Sequence, residues 1–243
     1  MKTFVVGDIH AGLRGLEQVL ERLQANTADH FIFLGDYVDG WSTAVETIEF
    51  LMAFSQKYNC TFLRGNHDAL TLDWLRDKKD NPLWLASGGA ATQQSYRGVG
   101  QETRGKHIHF LESLADYYLD AQNRLYLHAG FTHPKGIDYE YFTVNFYWDR
   151  TLWEMALSLN PALDPADKKY PARLRCYREI YIGHTPVTRL GKTLPLQAGN
   201  VWNVDTGAAF KGPLSIIDVD SKAVVQSDPV YELYPEEQGR NPG

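Results

Sequence analysis

Three short apolar runs, residues 4–6, 31–34 and 61–63, are separated by two stretches with helical periodicity. Leu16, Val19, Leu20 and Leu23 recur three and four apart, and Val45, Ile48, Leu51 and Met52 do the same. A strand that meets its neighbour only after a whole helix pairs with it in parallel, and the helices then cover the sheet. The expected fold class is therefore α/β. Further strands are expected at residues 124–127, 179–182, 201–204, 214–219 and 223–226. The last of these form antiparallel hairpins, so the sheet is expected to be mixed or split in two.

The residues just past each strand are more specific than the strands themselves. The first run ends in Gly7-Asp8-Ile9-His10, the second in Gly35-Asp36-Tyr37-Val38-Asp39-Gly40, and the third in Arg64-Gly65-Asn66-His67-Asp68. Two later strands end in His128-Ala129-Gly130 and Gly183-His184-Thr185-Pro186. Ligands of α/β sheets sit outside the carboxyl ends of the strands, and five strands deliver Asp, His or Asn to that edge. Asp8 and His10 are two apart, so in extended backbone both leave the same face. With Asp36, Asn66, His128 and His184 they form an oxygen and nitrogen donor set without thiolate, suited to Mn, Fe or Zn. Six such donors are too many for one ion and enough for two.

The 243 residues carry 44% hydrophobic and 22% charged side chains, a globular composition. A net charge of −6 argues against a general nucleic-acid binder. It leaves room for an anionic substrate, since bound metal reverses the sign locally. The two cysteines, Cys60 and Cys176, make neither a disulfide framework nor a zinc knuckle and suit a reducing, cytoplasmic setting. No apolar run reaches the ~18 residues of a membrane span, and the apolar start is too short for a signal peptide. A single domain over residues 1–233 is expected. The aromatic-rich residues 135–178 read either as a cap insertion beside the site or as further helical core. Residues 234–243 read as a frayed tail.

The blocks Gly-Asp-Ile-His-Ala-Gly, Gly-Asp-Tyr-Val-Asp-Gly and Arg-Gly-Asn-His-Asp resemble the signature blocks of the phosphoprotein phosphatase family of calcineurin-like metallophosphoesterases. The two later histidine blocks resemble its remaining ones. Residues 84–89 and 203–208 resemble segments of bacterial Ser/Thr protein phosphatase-type members. The resemblance implies a sandwich of mixed β-sheets flanked by helices, with a dimetal site at the strand ends. It implies that Asp8 and His10 bind one metal, that Asp36 bridges, and that Asn66, His128 and His184 bind the second. It implies two divalent or trivalent ions, Mn2+ first, with Fe and Zn as alternatives. His67 is implied to be the general acid, Asp39 its orienting partner, and Arg150 a phosphate-binding residue.

Asp68 is expected to position the helix that begins beside it, and Asp205 to support a ligand histidine. His30, His107 and His109 are expected at the surface or in helices, and His133 near the rim. One departure stands out. The resembling block usually continues Asp-Arg-Gly, its Arg clamping the phosphate, whereas Asp39 is followed by Gly40-Trp41. Arg14, Arg64 and Arg97 are the nearest replacements by motif position. The expected activity is metal-dependent hydrolysis of phosphate monoesters, on a phosphoprotein or a small phosphoester, with no nucleic-acid or membrane partner. The alternatives are a dinucleoside polyphosphate hydrolase, in which Trp41 or the aromatics of residues 139–153 stack a base, and a non-catalytic metal-binding module.

Overall fold

The computed structural model describes residues 1–241. In chain order its first strands and helices are β1 (Thr3–Val6), α1 (Leu13–Leu23), β2 (His30–Phe33), α2 (Ala44–Phe54), β3 (Asn59–Phe62) and α3 (Asn66–Asp77). The remaining strands are β4 (Tyr117–Leu119), β5 (Arg124–Leu127), β6 (Glu179–Ile182), β7 (Leu196–Ala198), β8 (Val201–Asn203), β9 (Pro213–Asp218) and β10 (Val224–Pro229). They form two five-stranded sheets, ordered β10-β9-β1-β2-β3 and β4-β5-β6-β8-β7. In the first, β1, β2 and β3 are parallel, β9 pairs antiparallel with β1, and β10 pairs antiparallel with β9. In the second, β5, β6 and β8 are parallel between antiparallel edges. The sheet is thus both mixed and split in two.

Side-chain alternation along the central strands explains the layering. Phe4, Val6, Phe31 and Phe33 face the helices of the first sheet, while Val5 and Ile32 between them face the second sheet. Leu125, Leu127, Ile180 and Ile182 face outward under a helical cover, while Tyr126 and Tyr181 point inward and stack at 5.1 Å. Strands buried on both faces read as continuous apolar runs, which is why they are visible in the sequence. The edge strands β4 and β7 have only three residues each and mostly exposed or half-buried positions, so they leave no such signal.

Residues 135–178 contribute short helices whose apolar side chains, among them Ile137, Phe146, Trp153 and Leu174, form the core behind the second sheet. Trp148 and Arg150 of the same segment line the central cavity. The described end of the chain differs from the frayed tail expected there. Tyr234 is buried and stacks on Trp41 at 5.1 Å, and the Glu237 carboxylate accepts the Ser42 backbone N–H at 2.9 Å. Tail residues 242–243 lie outside the described residues. Trp41 is likewise not a base-stacking platform: it is fully buried and its indole N–H donates to the Ala208 carbonyl at 2.8 Å.

Candidate active site

The carboxyl ends of β1, β2, β3, β5 and β6 converge at the edge where the two sheets meet. Direct hydrogen bonds join the sheets there: His128 Nδ1 to the Leu34 carbonyl at 2.9 Å and His184 N–H to Asp8 Oδ2 at 2.9 Å. The loops carry backbone strain where the polar side chains leave them. His10, Asp36, Asp39 and His184 have φ of +51°, +54°, +66° and +66°. Non-glycine residues adopt this region at a cost of about 1 kcal/mol or more, and such strain gathers at functional sites. Close approach accounts for two glycines: a Cβ on Gly65 would overlap the Asp36 carboxylate, and one on Gly183 the Asp8 carboxylate.

Asp36 occupies the centre. Its Oδ2 lies 3.4 Å from His10 Nε2 and 3.4 Å from His128 Nε2. Both imidazoles are fixed from behind, because a carbonyl only accepts: His10 Nδ1 donates to the Asp39 carbonyl at 2.8 Å, and His128 Nδ1 to that of Leu34. The inward Nε2 atoms are left to offer lone pairs. On one side His10, Asp36 and His67 bring donor atoms within 4.8 Å of one another, and on the other Asp36, His128 and His184 do so. Asn66 Oδ1 lies 2.8 Å from His184 Nδ1 and 3.2 Å from His128 Nε2. Asp8 stands beside the inward edge of His10, its Oδ2 4.0 Å from His10 Nε2, and its buried Oδ1 has no partner among the described residues. The resemblance pairs Asp8 with His10, and His67 stands in that side of the cluster as well.

Charge crowding results. Burial pushes the Asp8 carboxyl up, and the neighbouring Asp205 and Asp36 push it further. Burial also opposes ionisation of Asp36, but His128, His67 and His10 outweigh it and hold its pKa well below the usual carboxylate range. Burial lowers the His128 pKa, yet Asp36 and Asp8 take it up to about 10. Burial and the His128 charge lower His184, and burial lowers His10 despite Asp36. Protons on Asp8 and His128 thus offset the charge that the carboxylates crowd together, in the places that bound cations would take. The donor set, the orphaned Asp8 oxygen and the shared position of Asp36 fit a dinuclear metal site.

His67 and Asp39 form the neighbouring pair. His67 Nδ1 is 2.7 Å from Asp39 Oδ2, which also accepts the Trp84 indole N–H at 2.6 Å, and Asp39 Oδ1 accepts the Thr92 hydroxyl at 2.6 Å. Asp68 caps α3 through the Gly65 N–H at 2.8 Å and also accepts the Asp36 N–H at 2.7 Å and the Tyr37 N–H at 2.9 Å. It thereby ties the Asp36 loop to the helix that starts at Asn66. Burial first, then Asp36, takes the Asp68 pKa up to about 7. Asp205 does not bond a histidine: its Oδ1 accepts the Gly207 N–H at 2.9 Å, and burial first brings its pKa up to about 6.

A cavity of about 320 Å³ opens over the cluster. Arg150 lines it, as do two arginines that sequence reasoning missed, Arg189 and Arg240. Arg189 lies five residues past His184, close enough for the motif to have pointed to it. The motif-based replacements lie elsewhere. Arg14 donates to the Leu233 carbonyl, Arg64 donates to the Leu114 carbonyl at 3.1 Å, and neither these nor Arg97 is among the lining residues. His133 stacks on Tyr139 at 5.4 Å, away from the cavity lining. His107 is in a helix but buried, hydrogen-bonded to the Tyr96 hydroxyl at 2.8 Å, and His30 is on β2, 2.9 Å from the Thr61 hydroxyl.

Two mixed sheets flanked by helices, with a buried His/Asp cluster at their joined edge, define a metallophosphoesterase scaffold. The chain belongs to the calcineurin-like phosphoesterases, whose family model matches residues 1–192. Its fold is shared with a candidate diadenosine tetraphosphatase of known crystal structure, at 19% identity and a TM-score of 0.62 over 93% of this chain and 92% of that one. It is shared too with a protein serine/threonine phosphatase from Saccharomyces cerevisiae, at 15% identity and a TM-score of 0.61 over 94% and 80% of the two chains. A cold-active protein-tyrosine phosphatase from a Shewanella species aligns at 16% identity and a TM-score of 0.56 over 93% and 80%. At these identities the likeness is one of fold. No helix among the described residues is long and apolar enough to cross a membrane.

Proposed function

We propose that this protein hydrolyses phosphate monoesters at two metal ions, as a phosphatase most like the Ser/Thr protein phosphatases. The observation that carries the proposal is the placement of Asp36 Oδ2 midway between two fixed imidazoles, 3.4 Å from each. In this reading Asp8 and His10 hold one ion, Asp36 is shared, and Asn66, His128 and His184 hold the other. The oxygen and nitrogen donors favour Mn2+, with Fe or Zn as alternatives. When bound, such ions neutralise the phosphoryl oxygens and acidify a water enough to give a nucleophile near neutral pH.

The protein's own groups do the rest. Arg150 at the cavity rim holds a phosphoryl oxygen by charge-assisted hydrogen bonds. His67, with Nδ1 engaged by Asp39, is left with Nε2 to give a proton to the departing alkoxide. Asp39 fixes the orientation of the ring. General acid help of this kind contributes ~10²–10⁴ in rate. Trp84 and Thr92 hold Asp39 in turn. The free cysteines Cys60 and Cys176 are consistent with a cytoplasmic setting.

A second reading, hydrolysis of a dinucleoside polyphosphate, is favoured by one observation: three arginines line a single cavity, more positive charge than one phosphoryl group requires. The test is product analysis with the Mn2+-loaded protein on a phosphoserine peptide and on diadenosine tetraphosphate. Release of inorganic phosphate from the peptide supports the first reading. Cleavage of the nucleotide with an inert peptide supports the second, and failure on both contradicts the esterase assignment.

A further inference from the structure

The segment after the last helix brings an arginine, Arg240, to the cavity beside position 40. Gly40 has φ +136°, and a Cβ there would lie 3.0 Å from the His10 carbonyl oxygen and 3.6 Å from Arg240 Cγ. A Cβ on Gly88 would lie 3.2 Å from the same Arg240 atom. Two glycines thus leave a lane, and the stem of Arg240 runs along it. Its Nη1 ends 3.4 Å from His10 Nε2, its guanidinium lies 5.3 Å from the centre of the Phe210 ring, and its buried Nε has no partner among the described residues.

The segment is held in register at several points. Beyond the helix Val230–Leu233, Tyr234 stacks on Trp41, and the Glu237 carboxylate takes the Ser42 hydroxyl at 2.7 Å. A Cβ on Gly239, at φ +60°, would lie 2.7 Å from the Trp41 ring, and the Arg240 N–H donates to the Ala209 carbonyl at 2.9 Å. Trp41, next in the chain after the glycine, is therefore the wall that seats the segment carrying the arginine.

A guanidinium with a buried, unpaired N–H is costly unless an anion meets it. Arg240 aims that charge at the His10 side of the cluster, and Arg150 acts at the His184 side. We propose that Arg240 is a substrate-binding residue, which together with Arg150 grips the phosphoryl group from the two ends of the metal site. This inference rests on the phosphoesterase reading above and assigns part of the phosphate grip to residues outside every motif block.

The experiment compares wild type with Arg240→Gln, Arg240→Ala and Arg240→Lys, all loaded with Mn2+. Inorganic phosphate is titrated calorimetrically, and kcat and KM are measured with p-nitrophenyl phosphate. The Gln and Ala variants are expected to bind phosphate about tenfold or more weakly and to raise KM by a similar factor, with Lys recovering part of the loss. Metal content and Tm should match wild type, which separates lost substrate contact from lost folding. Phosphate affinity and KM unchanged in both Gln and Ala overturn the proposal. If the wild type hydrolyses no ester, the esterase reading fails by itself, while the phosphate titration still decides Arg240: equal affinities overturn it.

Discussion

His67 Nδ1 lies 2.7 Å from Asp39 Oδ2, and the same oxygen accepts the Trp84 indole N–H at 2.6 Å. The imidazole is thus oriented by a carboxylate that is itself held in place. Replacing His67 by Asn should leave metal content intact and lower turnover by an amount set by the leaving group. For p-nitrophenyl phosphate, whose phenolate departs readily, the loss should be about tenfold or less. For phosphoserine it should approach ~10²–10⁴. Equal losses on the two substrates rule out a proton-donating role.

Asp39→Asn should act on stability and turnover together. Removing the charge weakens the bonds from His67, Trp84 and Thr92, and hydrogen bonds to charged groups contribute about 1.5–3 kcal/mol each. Urea unfolding should show a loss of roughly 2 kcal/mol, with kcat reduced more than KM rises. A variant of native stability and native kcat contradicts the arrangement.

The fold is legible because its central strands are apolar on both faces and end in polar blocks beside glycine. Asp8, Asp36, Asn66, His128 and His184 announce themselves by the strands that precede them. Arg240 does not. Its approach to His10 spans 230 residues and depends on Tyr234 seating against Trp41. Neither aromatic looks different from any other core residue in a sequence. The same contact explains why Trp41 is no base platform: exposure is a property of the packed chain, and at this position the tail covers the ring. Arg14, Arg64 and Arg97, the replacements expected from motif position, are not among the residues that line the cavity.

Position 40 should not accept an arginine. With φ at +136° and a Cβ 3.0 Å from the His10 carbonyl oxygen, Gly40→Ala is expected to cost about 1–3 kcal/mol and Gly40→Arg more, since it also displaces Arg240. Thermal unfolding checks this. A Gly40→Arg variant with wild-type Tm and lower KM would show that the backbone relaxes and the tail yields.

Acid stability should depend on Asp120. Burial disfavours its charge, but the backbone and side-chain hydrogen bonds from Arg124 and the Tyr126 hydroxyl prevail and lower its pKa. A carboxyl with a depressed folded pKa contributes stability above its unfolded value near 4 and loses it as pH falls through the folded value. Asp120→Asn should therefore lower stability by roughly 1–2 kcal/mol at pH 7. The gap to wild type should narrow progressively below about pH 4. A difference independent of pH contradicts the ionic origin.

The central claim is that two ions share Asp36. It is tested most directly by stripping the protein with chelator and following p-nitrophenyl phosphate hydrolysis as Mn2+ is added back against a known protein concentration. The account predicts negligible turnover without metal and a rate that rises to a plateau at two equivalents per chain, with Asp36→Asn inactive throughout. A plateau at one equivalent, or turnover that persists in the stripped protein, would contradict it.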